Sequence, residues 1–380
     1  MHADFIDTEE GLRDFAEALA ATPRFALDLE AAGFHRYSDR ACLIQVSGGD
    51  RTWVVDPLAV DPTSALRGPL EDAGRPVVVH GGDYDVRLLN RDFGLAPQGL
   101  FDTRIAATLC GEPQVGLQAL LERHLGVEIP KKYQRADWAR RPLPDDMVAY
   151  AANDTRYLAD LADILRDRLV ELGRLAWAEE EFRALEQVRW DEEEQVDPVT
   201  RVKGARDLTR RQVHALREAL AWRDEIARQR DRAPFRVAGD PVLVEAVTRE
   251  IDDVGALAAL KGMSPALAER HGRDLIERLR RVRALPDGDL VGYPRPTTRG
   301  PGRPTPEVEE RLDRLKAVRN AHAQALGIDR GALLSNGHLL AMAWDPPADL
   351  EELAALGRLR NWQLDVLGAD LIEALHRSTS

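Results

Sequence analysis

The spacing of apolar positions changes along the first 190 residues. Thr8 as an N-cap and an apolar stripe through Phe15 predict a helix over residues 8–20. Short apolar runs bounded by turn-forming or charged residues follow, and they predict buried strands at 24–30, 41–47, 52–56 and 76–80. The first three are typical of an antiparallel meander. Helical stripes then alternate with at most one more strand, so we expect an α/β domain with a mixed sheet and flanking helices.

The second half of the chain repeats itself at a fixed offset of 96 residues. Residues 257–260 and 353–356 carry the same four letters, and residues 272–279 align with 368–375 without a gap. Coincidence rarely preserves one offset over about 60 residues, so we predict two copies of one all-α domain.

Composition along the chain sets the predicted domain boundaries. The α/β domain spans 1–190, where an acidic run at 191–194 ends it, and the two helical domains span 208–287 and 305–380. Between them, the prolines and glycines of 288–304 favour an extended, exposed linker.

Two carboxylates lie two residues apart on the first predicted strand. Because side chains alternate between the faces of a strand, Asp28 and Glu30 point the same way. A hard divalent cation with oxygen ligands would relieve their repulsion. The alternative is a pair of solvated acids at the strand end.

Further acids lie near the ends of later elements. Asp85 follows the strand at 76–80 and a Gly81–Gly82 turn, at a strand end where α/β folds place ligands. Asp83 lies two residues earlier, and capping of the helix that starts there is the alternative for either acid. Asp102 has the position of an N-cap for the helix that follows it.

Tyr150 and Asp154 are four residues apart on a predicted helix and therefore share one face. With Asp28, Glu30 and Asp85, Asp154 makes four carboxylates in one domain that can converge on a pair of divalent cations, an arrangement suited to in-line phosphoryl displacement. Tyr150 would then orient the attacking water. No phosphate-binding loop, nucleophile elbow or zinc-ligand set competes with this interpretation.

A basic loop with two aromatic residues, 131–143, precedes that helix. Its composition suits contacts with phosphates and stacking on bases. The alternative is a solvated loop that Trp138 anchors to the core. The residues of this loop that we predict to bind substrate are Lys132, Gln134, Trp138 and Arg141.

Bulk composition narrows the class of protein. No apolar run is long enough to span a bilayer and no secretion signal is evident, so we expect a cytoplasmic protein without membrane contacts. The two cysteines, Cys42 and Cys110, are too few for a disulfide scaffold or a zinc site, and we expect both to be core residues.

A net charge of −13 argues against a nucleic-acid partner, but the distribution of the charge matters more. The net charge is −11 in residues 1–190, +3 in 208–287 and −4 in 305–380.

Taken together, the motifs resemble those of the ribonuclease D family, in the DEDDy group of 3′–5′ exonucleases, and the resemblance runs from end to end of the chain. Asp28-Leu29-Glu30 matches the first motif, His80 to Leu89 matches the second, and Tyr150 to Asp154 matches the third. Gln134 to Leu143 resembles the segment that precedes the third motif. The two helical repeats look like tandem HRDC domains, which are nucleic-acid-binding modules.

The resemblance implies a ribonuclease H-like exonuclease domain that uses two Mg²⁺ or Mn²⁺ ions to remove 5′-mononucleotides from RNA 3′ ends, usually of tRNA precursors. Carried over, the metal ligands are Asp28, Glu30, Asp85 and Asp154, and Tyr150 positions the water. Asp85 is preferred to Asp83 because the family's acid directly precedes the apolar helix residues. Leu29, where the family often has Thr, and the sequence Gly81 to Tyr84 depart from the family pattern.

The positive charge of the first repeat suggests that it touches RNA. The arginines of this hypothesis are Arg210, Arg211, Arg223, Arg228, Arg230, Arg232 and Arg236. A solvated, salt-bridged surface that includes Glu218, Asp224 and Glu225 is the alternative. The acidic second repeat is expected to be structural or to make domain contacts.

Three other functions stay open at this point. The first is an exonuclease that acts on DNA by the same chemistry and would differ only in its sugar preference. A non-catalytic nucleic-acid adaptor on the same fold would have no need of the four acids and Tyr150 together. A structural protein held by the helical repeats is a third, although two copies make a poor solenoid.

Overall fold

A mixed six-stranded sheet is the centre of the first part of the chain. The computed structural model describes residues 3–129, 132–190, 196–294, 302 and 304–377. Within them the strands are β1 (Asp4–Ile6), β2 (Phe25–Ala31), β3 (Ala41–Gly48), β4 (Arg51–Val55), β5 (Val77–Val79) and β6 (Leu100–Asp102). Their order is β1-β4-β3-β2-β5-β6. β3 and β4 are antiparallel, whereas β1 with β4, β2 with β5 and β5 with β6 are parallel. The predicted mixed sheet is confirmed, and the short strand β1 is the one that the sequence analysis missed.

Eight helices accompany this sheet in the described residues. They are α1 (Glu9–Ala20), α2 (Thr63–Glu71), α3 (Asp83–Phe93), α4 (Thr103–Cys110), α5 (Leu117–Leu125), α6 (Asp145–Arg156), α7 (Leu158–Glu171) and α8 (Leu175–Glu186). Thr8 caps α1 as predicted, because its Oγ1 accepts the Gly11 amide at 3.2 Å. Both cysteines are buried and neither forms a disulfide, as expected of core residues.

The two helical repeats have matching elements. The first contains α9 (Arg210–Gln229), α10 (Pro234–Val237), α11 (Asp240–Thr248), α12 (Val254–Ala258) and α13 (Pro265–Ala284). The second contains α14 (Pro306–Leu326), α15 (Arg330–Leu333), α16 (Asn336–Trp344), α17 (Leu350–Ala355) and α18 (Asn361–His376). Each helix of the second starts 96 residues after its counterpart in the first. The predicted duplication is therefore confirmed.

An arginine with matching contacts recurs at the same place in both repeats, buried in the second and partly buried in the first. Arg223 donates from Nη1 to the Ala238 carbonyl at 3.1 Å and to Asp240 Oδ1 at 2.5 Å. Its counterpart Arg319 donates from Nη1 to the Leu334 carbonyl and to Asn336 Oδ1, at 3.2 and 2.7 Å. Since every one of these partners is also offset by 96 residues, the arginine is part of the fold of the repeat.

Contacts group the chain into two compact units. The first, here called the core unit, comprises residues 1–30, 41–190 and 300–380; the second, the repeat unit, comprises 31–40 and 191–299. The second helical repeat therefore belongs with the sheet domain. No helix among the described residues is long and apolar enough to cross a membrane.

Inside the core unit, the second repeat packs against α4 and α8. Trp177 stacks on Trp362 with ring centroids 4.9 Å apart. Arg174 donates to the carbonyls of Leu109 and Leu326, both at 2.7 Å, and so ties the two parts by their backbones. One apolar cluster continues through both. These contacts agree with the expectation that the second repeat makes domain contacts.

Inside the repeat unit, the loop 31–40 packs on α9 and α10. The Tyr37 hydroxyl hydrogen-bonds Asp224 at 3.0 Å, and Arg236 Nε donates to the Phe34 carbonyl at 2.7 Å. This loop directly follows β2, the strand that carries Asp28 and Glu30.

Part of the start of the predicted linker is held against the first repeat. Leu290 is buried, and Arg217 donates to the carbonyls of Val291 and Gly292, both at 2.5 Å, so this segment packs on α9. Residues 295–301 and 303 of the predicted linker, and the acidic run at 191–194, lie outside the described residues.

Candidate active site

Three of the predicted carboxylates converge. Asp28 and Glu30 extend from one face of β2, as their spacing requires, and Asp154 faces them from α6. One oxygen from each lies within 4.8 Å of the others. The structure thus brings together acids that are more than 120 residues apart in the chain.

Buried hydroxyl groups hold α6 against the sheet. Ser47 Oγ, on β3, lies 2.7 Å from Thr155 Oγ1 and 2.9 Å from Thr52 Oγ1 on β4. Thr155 directly follows Asp154 and is fully buried. This chain of hydrogen bonds fixes the helix and with it the direction of the Asp154 carboxylate; the sequence analysis did not identify it.

Asp85 and Asp83, the two candidates for the second motif, have opposite environments. Asp83 has a side chain that is 60% exposed and pairs with Arg87 at 2.9 Å, one turn along α3. Asp85 is 8% exposed, makes no ion pair with a described residue, and its charge acts on both Asp28 and Glu30. Neither acid caps α3, whose N-cap is Gly82. The geometry therefore favours Asp85 as the acid that acts with the other three.

Asp102 shapes the turn that presents Asp85. As predicted, it caps α4, accepting the Arg104 and Ile105 amides at 2.8 and 3.1 Å. It also accepts the amides of Gly81 at 3.0 Å and Gly82 at 2.9 Å. Gly81 has a φ of +68°, which only glycine adopts readily. The second function of Asp102 escaped the sequence analysis because its partners are some 20 residues away.

The pKa values of the four acids reflect burial and mutual repulsion. Burial raises the pKa of Glu30 to about 9, with the charges of Asp154 and Asp85 adding to it. Burial, then the charge of Asp102, raises the pKa of Asp85 to about 7, and burial alone raises that of Asp154 to about 6. For Asp28, burial and then all three other acids raise the pKa well above its ordinary value. Bringing four ionised carboxylates together here is therefore costly without a cation.

Two aromatic rings enclose Tyr150, the phenol one turn before Asp154. Trp138 stacks on it with centroids 6.1 Å apart, and Tyr133 meets it edge-on at 5.6 Å. Burial, followed by the charges of Asp154, Glu30 and Asp28, raises the pKa of Tyr150 to about 12. Tyr150 is consequently a neutral phenol at physiological pH, able to donate a hydrogen bond and unable to serve as a phenolate base.

Two residues of the basic loop have structural contacts in place of the predicted contacts with substrate. Trp138 is 2% exposed, so its indole is an anchor of the loop and a support for Tyr150. Arg141 forms a two-point ion pair with the buried Asp56, at 2.5 and 2.6 Å, and also binds the carbonyls of Cys42 and Trp138. Its guanidinium is thus already occupied. For these two residues the alternative interpretation, an anchored loop, fits better.

The other two residues of the loop lie at the surface. Lys132 is exposed and pairs with Asp146 at 2.9 Å, and the Tyr133 hydroxyl binds the same carboxylate. Gln134 lines a cavity of about 380 Å³ together with Tyr150 and Asp154. Gln134 therefore borders space next to the catalytic candidates and stays a predicted substrate contact.

Most arginines of the first-repeat hypothesis are engaged inside the repeat unit. Besides Arg223, Arg211 binds three carbonyls near the end of α13, Arg228 pairs with Asp224, Arg230 meets His271 and Arg236 packs over Phe34. Only Arg210 and Arg232 are exposed and make no side-chain ion pair with a described residue. The salt-bridged alternative is thus the better description of this surface, and contact with RNA through the full set is not supported.

The donor set fits divalent cations. Its members are carboxylates, the ligands that Mg²⁺ and Mn²⁺ prefer, and none of the four pairs with a lysine or arginine among the described residues. The shared burial of like charges is the observation that a metal pair would explain.

Comparison with known proteins assigns families to the two kinds of domain. Residues 3–170 match the family model described as 3′–5′ exonuclease, and residues 212–279 and 308–375 each match the HRDC domain. Ribonuclease D of Granulibacter bethesdensis is 32% identical over 372 residues, which cover 97% of this chain and 91% of that protein.

Two solved structures match the chain over nearly its whole length. A protein from Bifidobacterium adolescentis superposes with a TM-score of 0.83 at 26% identity, covering 98% of this chain and 97% of that one. Escherichia coli RNase D, described as an exoribonuclease involved in structured RNA processing, superposes with a TM-score of 0.71 at 28% identity and covers 99% of both chains.

Proposed function

The chain belongs to the ribonuclease D family, and from that premise we propose that it hydrolyses RNA from the 3′ end with two divalent cations held by Asp28, Glu30, Asp85 and Asp154. It is a 3′–5′ exoribonuclease with an exonuclease domain and two HRDC domains. The observation that carries the proposed site is the convergence of Asp28, Glu30 and Asp154 within 4.8 Å, with the charge of the buried Asp85 acting on Asp28 and Glu30.

Each acid has a defined part in this proposal. Asp28 and Glu30 hold the cations from the sheet, Asp154 from α6 and Asp85 from the first turn of α3. When bound, two divalent cations supply a water of lowered pKa and stabilise the leaving oxygen of an in-line displacement. The ligands are held on one strand and two helices, so their geometry is set before substrate arrives.

Tyr150 orients the attacking water in this mechanism. Its neutral hydroxyl donates or accepts one hydrogen bond beside Asp154, and the rings of Trp138 and Tyr133 keep it in place. Because its pKa lies near 12, Tyr150 positions the water and leaves proton removal to other groups.

The finer features of the function follow the family. We propose Mg²⁺ or Mn²⁺ as the metal, 5′-mononucleotides as products, tRNA precursors with 3′ extensions as substrates and the cytoplasm as the location. Gln134 and Lys132, at the surface of the basic loop, are the proposed substrate contacts that stay accessible.

A 3′-trimming assay tests the proposal. Single-stranded RNA labelled at its 5′ end, and a tRNA with extra 3′ nucleotides, are incubated with Mg²⁺, Mn²⁺ or EDTA. We expect a ladder that shortens from the 3′ end with metal and is absent with EDTA. On the tRNA, shortening should stop at the mature end.

Two neighbouring variants make this assay specific for the site. Asp85→Asn should abolish trimming, because it removes a proposed ligand, whereas Asp83→Asn alters an exposed acid of the same helical turn and should retain it. Equal loss in both variants, or trimming in EDTA, would contradict the assigned ligands. A matching DNA strand in parallel tests the sugar preference.

A further inference from the structure

A cleft in the core unit lies between α4 and the second helical repeat. It has a volume of about 390 Å³, and its charged lining residues are Arg104 and Glu181 on one side and Arg358 and Arg360 on the other. A neighbouring cavity of about 440 Å³ shares Gly331 and Ser335 with it and adds Lys316 and Arg330. The two adjoining cavities are here called the groove, and their volumes exceed what one phosphate group would fill.

The groove contains cations without counter-ions. Arg104, Arg330 and Arg358 are exposed, and none makes an ion pair or side-chain hydrogen bond with a described residue. The two acids of the lining are already bound: Glu181 accepts from Arg360 and from the Trp362 indole, and the Asp329 carboxylate accepts the Gly331 and Ala332 amides. A negatively charged ligand would therefore meet three arginines that have no carboxylate partner among the described residues.

The net charge of the second repeat conceals this arrangement. Although residues 305–380 carry a net charge of −4, five of their eight lysines and arginines line the groove. At the positions 96 residues earlier, the first repeat has Leu220, Pro234 and Gly262 in place of Lys316, Arg330 and Arg358. The two copies thus differ on this surface, and only the second has the cations.

The groove reaches the turn that presents Asp85. The Arg104 side chain covers Gly81, since a Cβ added there would lie 3.1 Å from Arg104 Cδ. Asp102 binds the amides of both residues. Arg104 therefore connects the cleft, which its side chain lines, with the turn that presents Asp85.

The walls of the groove are held rigidly. The Trp177–Trp362 stack and the two backbone contacts of Arg174 fasten the second repeat to the sheet domain beside it. The groove therefore exists before any ligand binds, which lowers the entropic cost of binding.

We propose that this groove binds the phosphate backbone of the RNA strand leading to the active site, so that the second HRDC domain contacts substrate through Arg330 and Arg358, with Arg104 of α4 as the link. This inference rests on the proposed exoribonuclease function. It reverses the expectation that the acidic second repeat has no direct contact with RNA.

Binding without catalysis tests the proposal. The affinity of the full chain for a fluorescein-labelled 16-nucleotide single-stranded RNA is measured by anisotropy in EDTA between 50 and 200 mM salt. Each phosphate contact of a single strand contributes about 0.7 to the slope of log affinity against log salt. The variant Arg104→Ala/Arg330→Ala/Arg358→Ala should therefore lower that slope by about 2 and weaken binding at 0.1 M salt by about 100-fold.

Two control proteins separate the groove from net charge and from folding. Arg67→Ala/Arg249→Ala/Arg377→Ala removes three exposed arginines from local ion pairs outside the groove and should bind like wild type. The variant Arg104→Lys/Arg330→Lys/Arg358→Lys keeps the charges and should preserve the slope. Circular dichroism checks that the alanine variant of the groove is folded. If its affinity for RNA and its salt slope equal those of Arg67→Ala/Arg249→Ala/Arg377→Ala, the proposal is wrong. Since the assay contains no metal, a failure of the trimming assay would not affect this result.

Discussion

Replacing Asp85 with asparagine is expected to stabilise the metal-free protein and to remove its response to metal. The side chain is 8% exposed and lies among like charges, with no ion-pair partner among the described residues. Asparagine has nearly the same shape and no charge, so it removes the repulsion and keeps the volume.

The size of the effect follows from the pKa of Asp85. Its pKa rises from 3.8 to about 7 in the folded protein. At 1.36 kcal/mol per pH unit, that difference is about 4 kcal/mol when the carboxyl is ionised in both states. Because the four acids share their protons, we expect about 1–3 kcal/mol of it to appear as a change in the free energy of unfolding.

The sign depends on pH. Below about pH 4 the Asp85 carboxyl is protonated in both the folded and the unfolded state, so it does not lower the free energy of unfolding. Between pH 4 and 7 the unfolded chain releases its proton while the folded chain keeps it, so the stability of the wild type falls as pH rises. The advantage of Asp85→Asn should thus be full at pH 8 and about half as large at pH 5.5.

Thermal unfolding in EDTA measures this difference. For a domain of this size, 1–3 kcal/mol corresponds to a rise of about 2–12 °C in the melting temperature. Saturating Mg²⁺ should raise the melting temperature of the wild type by mass action, by about 2.7 kcal/mol at 100 times Kd, and that of Asp85→Asn much less. In saturating Mg²⁺ the wild type should then have the higher melting temperature of the two proteins.

Asp83→Asn is the matched control for this prediction. Its carboxylate is exposed, and its pair with Arg87 is worth less than about 1 kcal/mol. The variant should melt close to wild type and keep the response to Mg²⁺. If Asp85→Asn proves less stable than wild type at pH 8 in EDTA, the Asp85 carboxylate has stabilising partners and the reasoning fails.

Three further variants test other parts of the structure. Tyr150→Phe should lower kcat on saturating RNA by about 100-fold with an unchanged metal titration, since the phenol orients water and binds no metal; a change in KM alone would mean that the ring only packs. Arg223→Ala should destabilise the first repeat by about 1–2 kcal/mol in chemical denaturation, because the Ala238 carbonyl and the partly exposed Asp240 lose a shared donor, whereas exposed Arg232→Ala should cost under about 0.5 kcal/mol. Trp362→Ala should loosen the second repeat, at a cost of about 3–5 kcal/mol; unchanged resistance to limited proteolysis would contradict that role.

Local patterns allowed much of the candidate site to be predicted. Asp28 and Glu30 share a face because a strand alternates, and Tyr150 and Asp154 share one because a helix turns every 3.6 residues. Asp102 as a cap depends on the next three residues alone. Such features extend over a few residues, and their physics does not depend on the rest of the fold.

The errors concern charged side chains whose partners are distant in sequence. The predicted functions of Arg141 and Arg223 in binding RNA came from composition, which cannot reveal that Asp56 and Asp240 neutralise them. A loop or helix rich in arginine has the same sequence whether its cations face solvent or bind carbonyls. Burial and partner decide this, and both are set by packing.

The sequence by itself determined the order of elements, the duplication at 96 residues and the set of acids, because each depends on local periodicity or on repetition. The motif favoured Asp85 over Asp83, but only the tertiary structure shows that Asp85 is buried with its charge acting on Asp28 and Glu30, whereas Asp83 is exposed. The tertiary structure also decided that the second repeat packs on the sheet domain and brings Arg330 and Arg358 near Arg104. These are contacts between residues far apart in the chain, and the burial of apolar surface that determines them is a property of the whole fold.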